Sequence, residues 1–422
     1  MTIATTQVPV LKKLLIVGIG SVPLKYLVRA LQPYGYAPVL LGSRQGFAEQ
    51  ILGHLHDVDI HEVDTRSAAQ VSGYIRAHHG AFEAVVAVTS LFDEQFPMVE
   101  TLAREFGWAS PGPVPAWLSH KNTVLSLIPE YSPPSLCFKA CDLRTVDLRR
   151  IERWGPQLVI KPACCSGGLG LRQVHTSPAL KQDLQAHIEH FGLAPETEWV
   201  LQQHVGGRLL SFEGFVERGW VRRFGVSSRS RIGFTEVANR YPADDDISQA
   251  IIARGWDCIE SLVHRTHFQY GYFHCEFIQT DTSVYLVDAN MGRIGGATVM
   301  EQVAQAHDID PHALLAHVLL LPVLRARSPV SLFANARLAA EKTLGIWYGL
   351  PQACRLEQLQ LGRVRGQHTQ FATHGAHVPA MGESDYAWVG MLCGLEQEVL
   401  FDIHCITLHT DKGVFEPVFS LD

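Results

Sequence analysis

The chain has 422 residues, too many for one hydrophobic core, and three domains is the natural expectation. Its composition, 47% hydrophobic and 18% charged, is that of an ordinary globular protein. A net charge of −7 without any basic run argues against a nucleic-acid partner. Stretches such as Leu314–Leu324, interrupted by His317, are too short to cross a bilayer, so no membrane partner is expected.

The first residues, MTIATTQVPVLKK, carry no cationic region followed by an apolar block and a cleavage site, and read as a short tail. Residues 14–110 then alternate strand and helix signals. Leu14–Ile19 reads as a buried strand, and Ser21 and Pro23 start a helix over Leu24–Leu31. Ala37–Leu41 and Ala84–Val88 read as further strands, and Phe96–Phe106 as a helix closed by Gly107. This is the pattern of a parallel βαβ unit, a Rossmann-like domain over residues 1–115. Gly18-x-Gly20 follows the first strand and invites a dinucleotide reading. However, a third glycine is missing and no acid ends the second strand, so a tight turn is the better account.

A Pro-rich segment, 110–115, reads as a linker. A small α/β piece follows over 116–205 and a larger one over 206–324. Pro322 and Pro329 precede a β-rich portion, 325–422, with strand-like runs at Ala387–Leu392 and Ile403–His409. Nine cysteines, odd in number and without metal-ligand spacing, fit reduced thiols in the cytoplasm. Cys137 and Cys141 have no matching ligand pair and read as structural.

Leu158–Pro162 is a short strand ending in Lys161, followed by a loop containing Ser166, Gly167, Gly168 and Gly170. Such a loop offers several backbone N–H groups to an anion, and Lys161 adds a positive charge. The order of parts is not that of a Walker A loop. Trp199–Val205 is an apolar run turning polar before Gly206-Gly207, where a strand end can offer backbone groups to a planar base. Lys121 sits at a predicted helix start and taken alone is a surface lysine.

The most informative stretch is 273–296. Two apolar runs, Gly271–Gln279 and Val284–Ala289, flank a polar turn at 281–283, which predicts a hairpin. An odd loop places Glu276 opposite Asp288, with Cβ atoms roughly 4.5–5.5 Å apart. A two-residue loop would send them to opposite faces. Opposed like charges are unfavourable on a sheet, so the pair suggests a cation between them.

The ordered set of Lys121, Lys161 with its glycine loop, Gln202–Val205, then Glu276, Asp288, Asn290 and Arg293 resembles the ATP-grasp superfamily. The likeness runs from the strand before Gly18 to the helix after Gly296 and is strongest to carboxylate–amine ligases that join amino acids. It implies an α/β architecture with an N-terminal parallel domain, a small lid subdomain, a larger antiparallel sheet and a β-rich C-terminal portion. It also implies ATP and Mg2+, or Mn2+, as cofactors. Lys121 and Lys161 would contact phosphates, and Ser166, Gly167, Gly168 and Gly170 would form a lid. Gln202 and the backbone of Gln203 and Val205 would hold adenine, and Glu276, Asp288 and Asn290 would hold metal. Arg293 would steady the transferring group, making it catalytic together with Lys161 and Asn290, and Gly295-Gly296 would open the helix Ala297–Ala306 towards an anionic substrate.

Four departures stand out. Gln202 and Leu209 replace acids, so that ribose is held otherwise, as by Glu213, or nucleotide affinity is weaker; Asp288 is one methylene short; and one extra residue separates Asn290 from Arg293. The resemblance implies activation of a carboxylate as an acyl phosphate, attack by an amine, and release of ADP and phosphate from small-molecule substrates, with a homodimer as one possible assembly. Transfer to a carrier-protein thiol and a non-catalytic regulatory nucleotide binder stand as alternatives. His274 is the nearest candidate base and substrate contact, although a structural role outweighs this. Arg229, Arg231 and Arg240 are candidate carboxylate binders, and Cys164 and Cys165 read as packing residues.

Overall fold

Leu14, Leu15, Ile16 and Val17 are all fully buried, which marks a strand covered on both faces. In this computed structural model, which describes residues 11–421 except 44–52, 54, 57, 165–168, 234, 329, 331, 333–340 and 383–386, they belong to a parallel sheet. Its strands are β1 (Lys12–Val17), β2 (Tyr36–Gly42), β3 (Asp59–Glu62) and β4 (Val85–Ser90), in the order β3-β2-β1-β4. Gly18 and Gly20 follow β1 with φ of 100° and 108°, the positive values that a tight turn needs. Helix Phe96–Phe106 buries Phe96, Val99, Leu102 and Ala103 and stops at Gly107 in the left-handed region. The helix expected over 24–31 is split into a 3-10 turn, Val22–Tyr26, and a short α-helix, Leu27–Leu31.

A small antiparallel sheet follows, made of β5 (Ser135–Lys139), β6 (Gln157–Pro162), β7 (Arg172–His175) and β8 (Glu198–Gln203), in the order β5-β8-β6-β7. Helix Leu180–Phe191 buries Leu180, Leu184 and Ile188 in the cluster that also holds Leu158, Ile160, Trp199 and Leu201.

The central feature is an eight-stranded antiparallel sheet. It begins with β9 (Arg208–Glu217), β10 (Trp220–Ile232), β11 (Thr235–Tyr241), β12 (Tyr270–Gln279) and β13 (Val284–Met291). The C-terminal portion adds β14 (Thr343–Gly349), β15 (Cys354–Leu361), β16 (Gln367–Gln370), β17 (His377–Val378), β18 (Trp388–Leu395), β19 (Ile406–Thr410) and β20 (Gly413–Phe415). The large sheet runs β13-β12-β9-β10-β11-β14-β18-β16, so β14, β16 and β18 extend it directly. The expected boundary at residue 325 therefore cuts through one continuous sheet. Only β17-β15-β19-β20 form a sheet of their own. The proline-bearing passage misled because β11 pairs with β14 across about a hundred residues of chain, a contact that no local composition shift records.

Helix Gln249–Thr266 packs with Ile252, Trp256, Ile259 and Val263 against Phe212, Phe273 and Phe277 of the sheet. The opposite face receives Val299–Ala306 and Pro311–Leu324, which bury Met300, Val303, Leu315 and Leu319. Among the described residues no single helix is long and apolar enough to cross a membrane.

Candidate active site

Glu276 and Asp288 do face each other, but for a reason other than the expected loop length. Four residues, 280–283, connect β12 to β13, and the Thr280 N–H donates to the Ser283 carbonyl at 2.8 Å. The first pairs are Gln279 with Val284, Ile278 with Tyr285 and Phe277 with Leu286. That register would set Val287 opposite Glu276 and turn Asp288 to the other face. A bulge at Val287 shifts it, giving Glu276 opposite Asp288 and His274 opposite Asn290.

Two lysines from different segments converge on this hairpin. Lys161, at the end of β6, is 7% exposed, and its Nζ donates to the bulged Val287 carbonyl at 2.8 Å. Burial pushes its pKa down to about 8, opposed by Asp288 and assisted by Lys121. Lys121 is the first residue of helix Lys121–Leu127, and its Nζ lies 3.4 Å from Asp288 Oδ1. Burial would lower its pKa, but Asp288 and Asp93 raise it above the ordinary value. Its own N–H donates to the Ala163 carbonyl just past Lys161, so the two lysines are tied together.

Glu276 has a different environment. It forms an ion pair with Arg229 of β10, which also pairs with Glu236 of β11, and Glu276 Oε1 lies 3.2 Å from His274 Nε2. Burial would raise the Glu276 pKa, but Arg229 and His274 hold it well below the carboxylate range. Arg229 was a candidate carboxylate binder; here its partners are carboxylates of the chain itself. Arg240 pairs with Glu396, and Arg231 is exposed. This distribution was invisible in sequence because β10 and β12 meet only through β9.

His274 does not sit as a general base would. Its Nδ1 lies 2.6 Å from Glu213 and its Nε2 3.2 Å from Glu276, so both nitrogens have carboxylate partners, with the Arg229 guanidinium close by. Burial would depress its pKa, yet Glu213 and Glu276 lift it to about 9, favouring an imidazolium without a lone pair to offer. Glu213 is fully buried beneath it, so the expected ribose contact is not presented to a cleft. Its facing partners on the sheet are His274 and Gly225, a register that sequence alternation alone does not show.

Asn290 is buried, and its Nδ2 donates to the His274 carbonyl at 3.3 Å, which directs Oδ1 elsewhere. Arg293 Nε donates to Asp93 Oδ1 at 2.9 Å and its Nη1 to the Ile294 carbonyl at 3.2 Å. Burial opposes the charge of Asp93, but Arg293 and Lys121 keep its carboxyl below its ordinary value. Asp93 lies just past β4 and was missed in the sequence; its position at the carboxyl end of a parallel strand was the available signal. The helix expected from Ala297 starts at Val299, because Ala297 has φ of 51° and Thr298 occupies the cap. Gly295 packs so tightly that a Cβ would lie 2.8 Å from His274 Nδ1.

At the hinge, Gln202 is 3% exposed, and its Nε2 has no hydrogen-bond partner among the described residues. The Gln203 N–H is taken by the Pro134 carbonyl at 2.9 Å, and Val205 is half-buried between β8 and β9. Gly206 and Gly207 line a cavity of about 290 Å³ with Arg208, Gln279, Thr280 and Asp281. Gly170 takes φ of 71°, and its carbonyl lies 2.9 Å from His187 Nε2. Ser166, Gly167 and Gly168 lie outside the described residues, as does Cys165.

The donor set fits a hard cation: two opposed carboxylates and an amide, all supplying oxygen. Among the described residues no three His, Cys, Asp or Glu side chains are placed to hold a metal by themselves. Magnesium is bound through one or two carboxylates and completes its shell with water and substrate phosphates.

No family model matches the chain. Human carnosine synthase 1 is 26% identical over 409 residues, covering 90% of this chain and 48% of that protein. The chain thus spans about half the length of this curated relative. Among solved structures, the L-amino acid ligase of Bacillus licheniformis superposes with a TM-score of 0.70 at 16% identity, covering 97% of this chain and 99% of that one. Biotin carboxylase of Campylobacter jejuni gives 0.67 at 13% identity, over 94% and 92% of the two chains. The chain has the ATP-grasp fold. Lys161 of the small sheet and Lys121 both reach the β12–β13 hairpin of the large sheet, at the Val287 carbonyl and at Asp288.

Proposed function

We propose that the protein is an ATP- and magnesium-dependent ligase that joins a small carboxylic acid, such as an amino acid, to an amine. The observation that carries this reading is the convergence of Lys121, Lys161 and the opposed pair Glu276 and Asp288 at one hairpin. The names of its relatives, carnosine synthase and L-amino acid ligase, support the same class of chemistry.

Attack of a carboxylate on a γ-phosphate brings anions together, and each unit pair at 4 Å repels by about 4 kcal/mol at an effective dielectric near 20. Lys161 and Lys121 would hold the phosphates, and Arg293 would face the charge that builds on the transferring group. Glu276, Asp288 and Asn290 would hold magnesium, which supplies further positive charge to the phosphates when bound. Gln202, with its unpartnered Nε2, and the Gln203–Val205 backbone would receive adenine. The loop with Ser166, Gly167, Gly168 and Gly170 would close over the phosphates and keep water from an acyl phosphate. Gly295 and Gly296 would face the acyl group, and an amine would then displace phosphate. A cytoplasmic setting would accord with this chemistry.

The test is to incubate the protein with ATP, magnesium and a pool of amino acids, then measure released phosphate and new masses. A substrate-dependent product together with phosphate is expected. Phosphate release without any such product would count against ligation.

A further inference from the structure

Arg293 follows Asn290 after two residues, Met291 and Gly292, one more than in the element it resembles. The structure shows how that extra residue is absorbed. Gly292 takes φ of 112°, and a Cβ there would lie 2.7 Å from the Phe96 ring and 2.8 Å from Pro115 Cβ. Its N–H donates to the Tyr272 carbonyl at 2.7 Å. The turn is therefore wedged between the sheet on one side and the N-terminal domain on the other.

Arg293 leaves this turn with two of its three nitrogens engaged. Nε donates to Asp93 Oδ1 at 2.9 Å and Nη1 to the Ile294 carbonyl at 3.2 Å. Asp93 is 6% exposed and stands just beyond β4, at the edge of the parallel sheet where open α/β sheets take ligands. A guanidinium gripped along its Nε edge can swing only with its carboxylate partner, so the direction of Nη2 follows from where Asp93 stands.

We propose that Asp93 is a positioning residue that aims Arg293 at the transferring phosphoryl group, so that the N-terminal domain sets the geometry the extra residue would otherwise disturb. This rests on the ligase reading above. Asp93 touches no substrate in this account and acts through Arg293, its hydrogen-bonded partner, while its charge is also felt by Lys121.

The experiment compares ADP with a non-hydrolysable ATP analogue, each with magnesium, by calorimetry on the full chain. Wild type, Asp93→Asn, Arg293→Met and the double variant are measured, together with kcat and KM for ATP. The preference for the γ-phosphate is expected to fall about tenfold or more in each single variant. The double variant should fall no further, because both changes remove one interaction. In Asp93→Asn, kcat should drop and KM for ATP should rise in step with the lost γ-phosphate preference, while affinity for ADP stays within a few-fold. A merely structural Asp93 would weaken both nucleotides alike, and that result, or full additivity in the double variant, overturns the proposal. Should Asp93→Asn fail to fold, Asp93→Glu keeps the charge but moves it by one methylene; an unchanged γ-phosphate preference in that variant overturns the proposal equally. A wild-type protein that binds neither nucleotide would instead sink the ligase reading itself.

Discussion

Lys161 of the small sheet donates a 2.8 Å hydrogen bond to the carbonyl of Val287, the bulged residue of the β12–β13 hairpin. The bulge does two things at once. It brings Asp288 opposite Glu276, and it frees from the ladder a carbonyl that the lysine can reach. One irregularity thus sets the acid pair and joins the small sheet to the large one.

Replacing Lys161 with Met should separate stability from binding. Lost charge-assisted bonding leaves the Val287 carbonyl unpaired at a cost of about 1–3 kcal/mol. Against this, the buried ammonium is itself unfavourable, as its depressed pKa of about 8 shows. The two effects nearly cancel, so the melting temperature without ligand should hardly move. Affinity for magnesium-ATP should fall by about tenfold or more, read by calorimetry. An unchanged nucleotide affinity would remove Lys161 from the phosphate site.

Arg229 gives the opposite balance. It is the shared partner of Glu236, Glu276 and His274, and its side chain is 10% exposed. Arg229→Leu strands two carboxylates in the sheet, and removing one partner of a buried pair costs about 3–5 kcal/mol. Chemical denaturation should register that loss in full. A change below about 1 kcal/mol would mean that water already screens the cluster.

Lys121, Lys161, the hinge strand and the hairpin acids were singled out as an ordered set by resemblance, and the structure brings both lysines and both acids to one hairpin. Arg229 and Asp93 stood outside that set, since their partners stand 47 and 200 positions away. The Val287 bulge left no trace either. Tyr285, Val287 and Asp288 are all half-buried, so the strand carries no clean alternation to show where a residue is inserted. Glu213 read as a ribose contact in place of Leu209, and His274 as the candidate base nearest Glu276, whereas the cross-strand register turns them towards each other.

Gly207 tests the hinge. It has φ of 149°, and a Cβ there would collide with the Gln279 carbonyl oxygen and press on Ile278. Neighbouring Gly206 has open space around it. Gly207→Ala should therefore cost about 1–3 kcal/mol by overpacking against backbone that cannot yield, and should weaken nucleotide binding by moving the strand end. Gly206→Ala should be close to neutral in both measurements. Equal behaviour of the two variants would show that the hinge does not rest on this contact.

His317 supplies a pH dependence away from the acids. It lies in helix Pro311–Leu324, 5% exposed, against the rings of Phe215 and Tyr272, and the Tyr272 hydroxyl lies 2.7 Å from its Nδ1. Burial alone drives its pKa down from 6.5 to about 4. A neutral ring accepts the Tyr272 proton, while an imidazolium would have to break that bond. Because the folded pKa lies below the unfolded one, the unfolded chain binds more protons between the two values. The stability contributed by the neutral ring is therefore fully present above pH 6.5 and is lost as pH falls towards 4. Between pH 7 and pH 5 this group should remove about 2 kcal/mol from the wild type. His317→Gln cannot titrate there, so its stability should fall less over the same interval, and the gap between the two denaturation curves should narrow by about that amount. Parallel losses in the two proteins would assign the acid sensitivity to other groups.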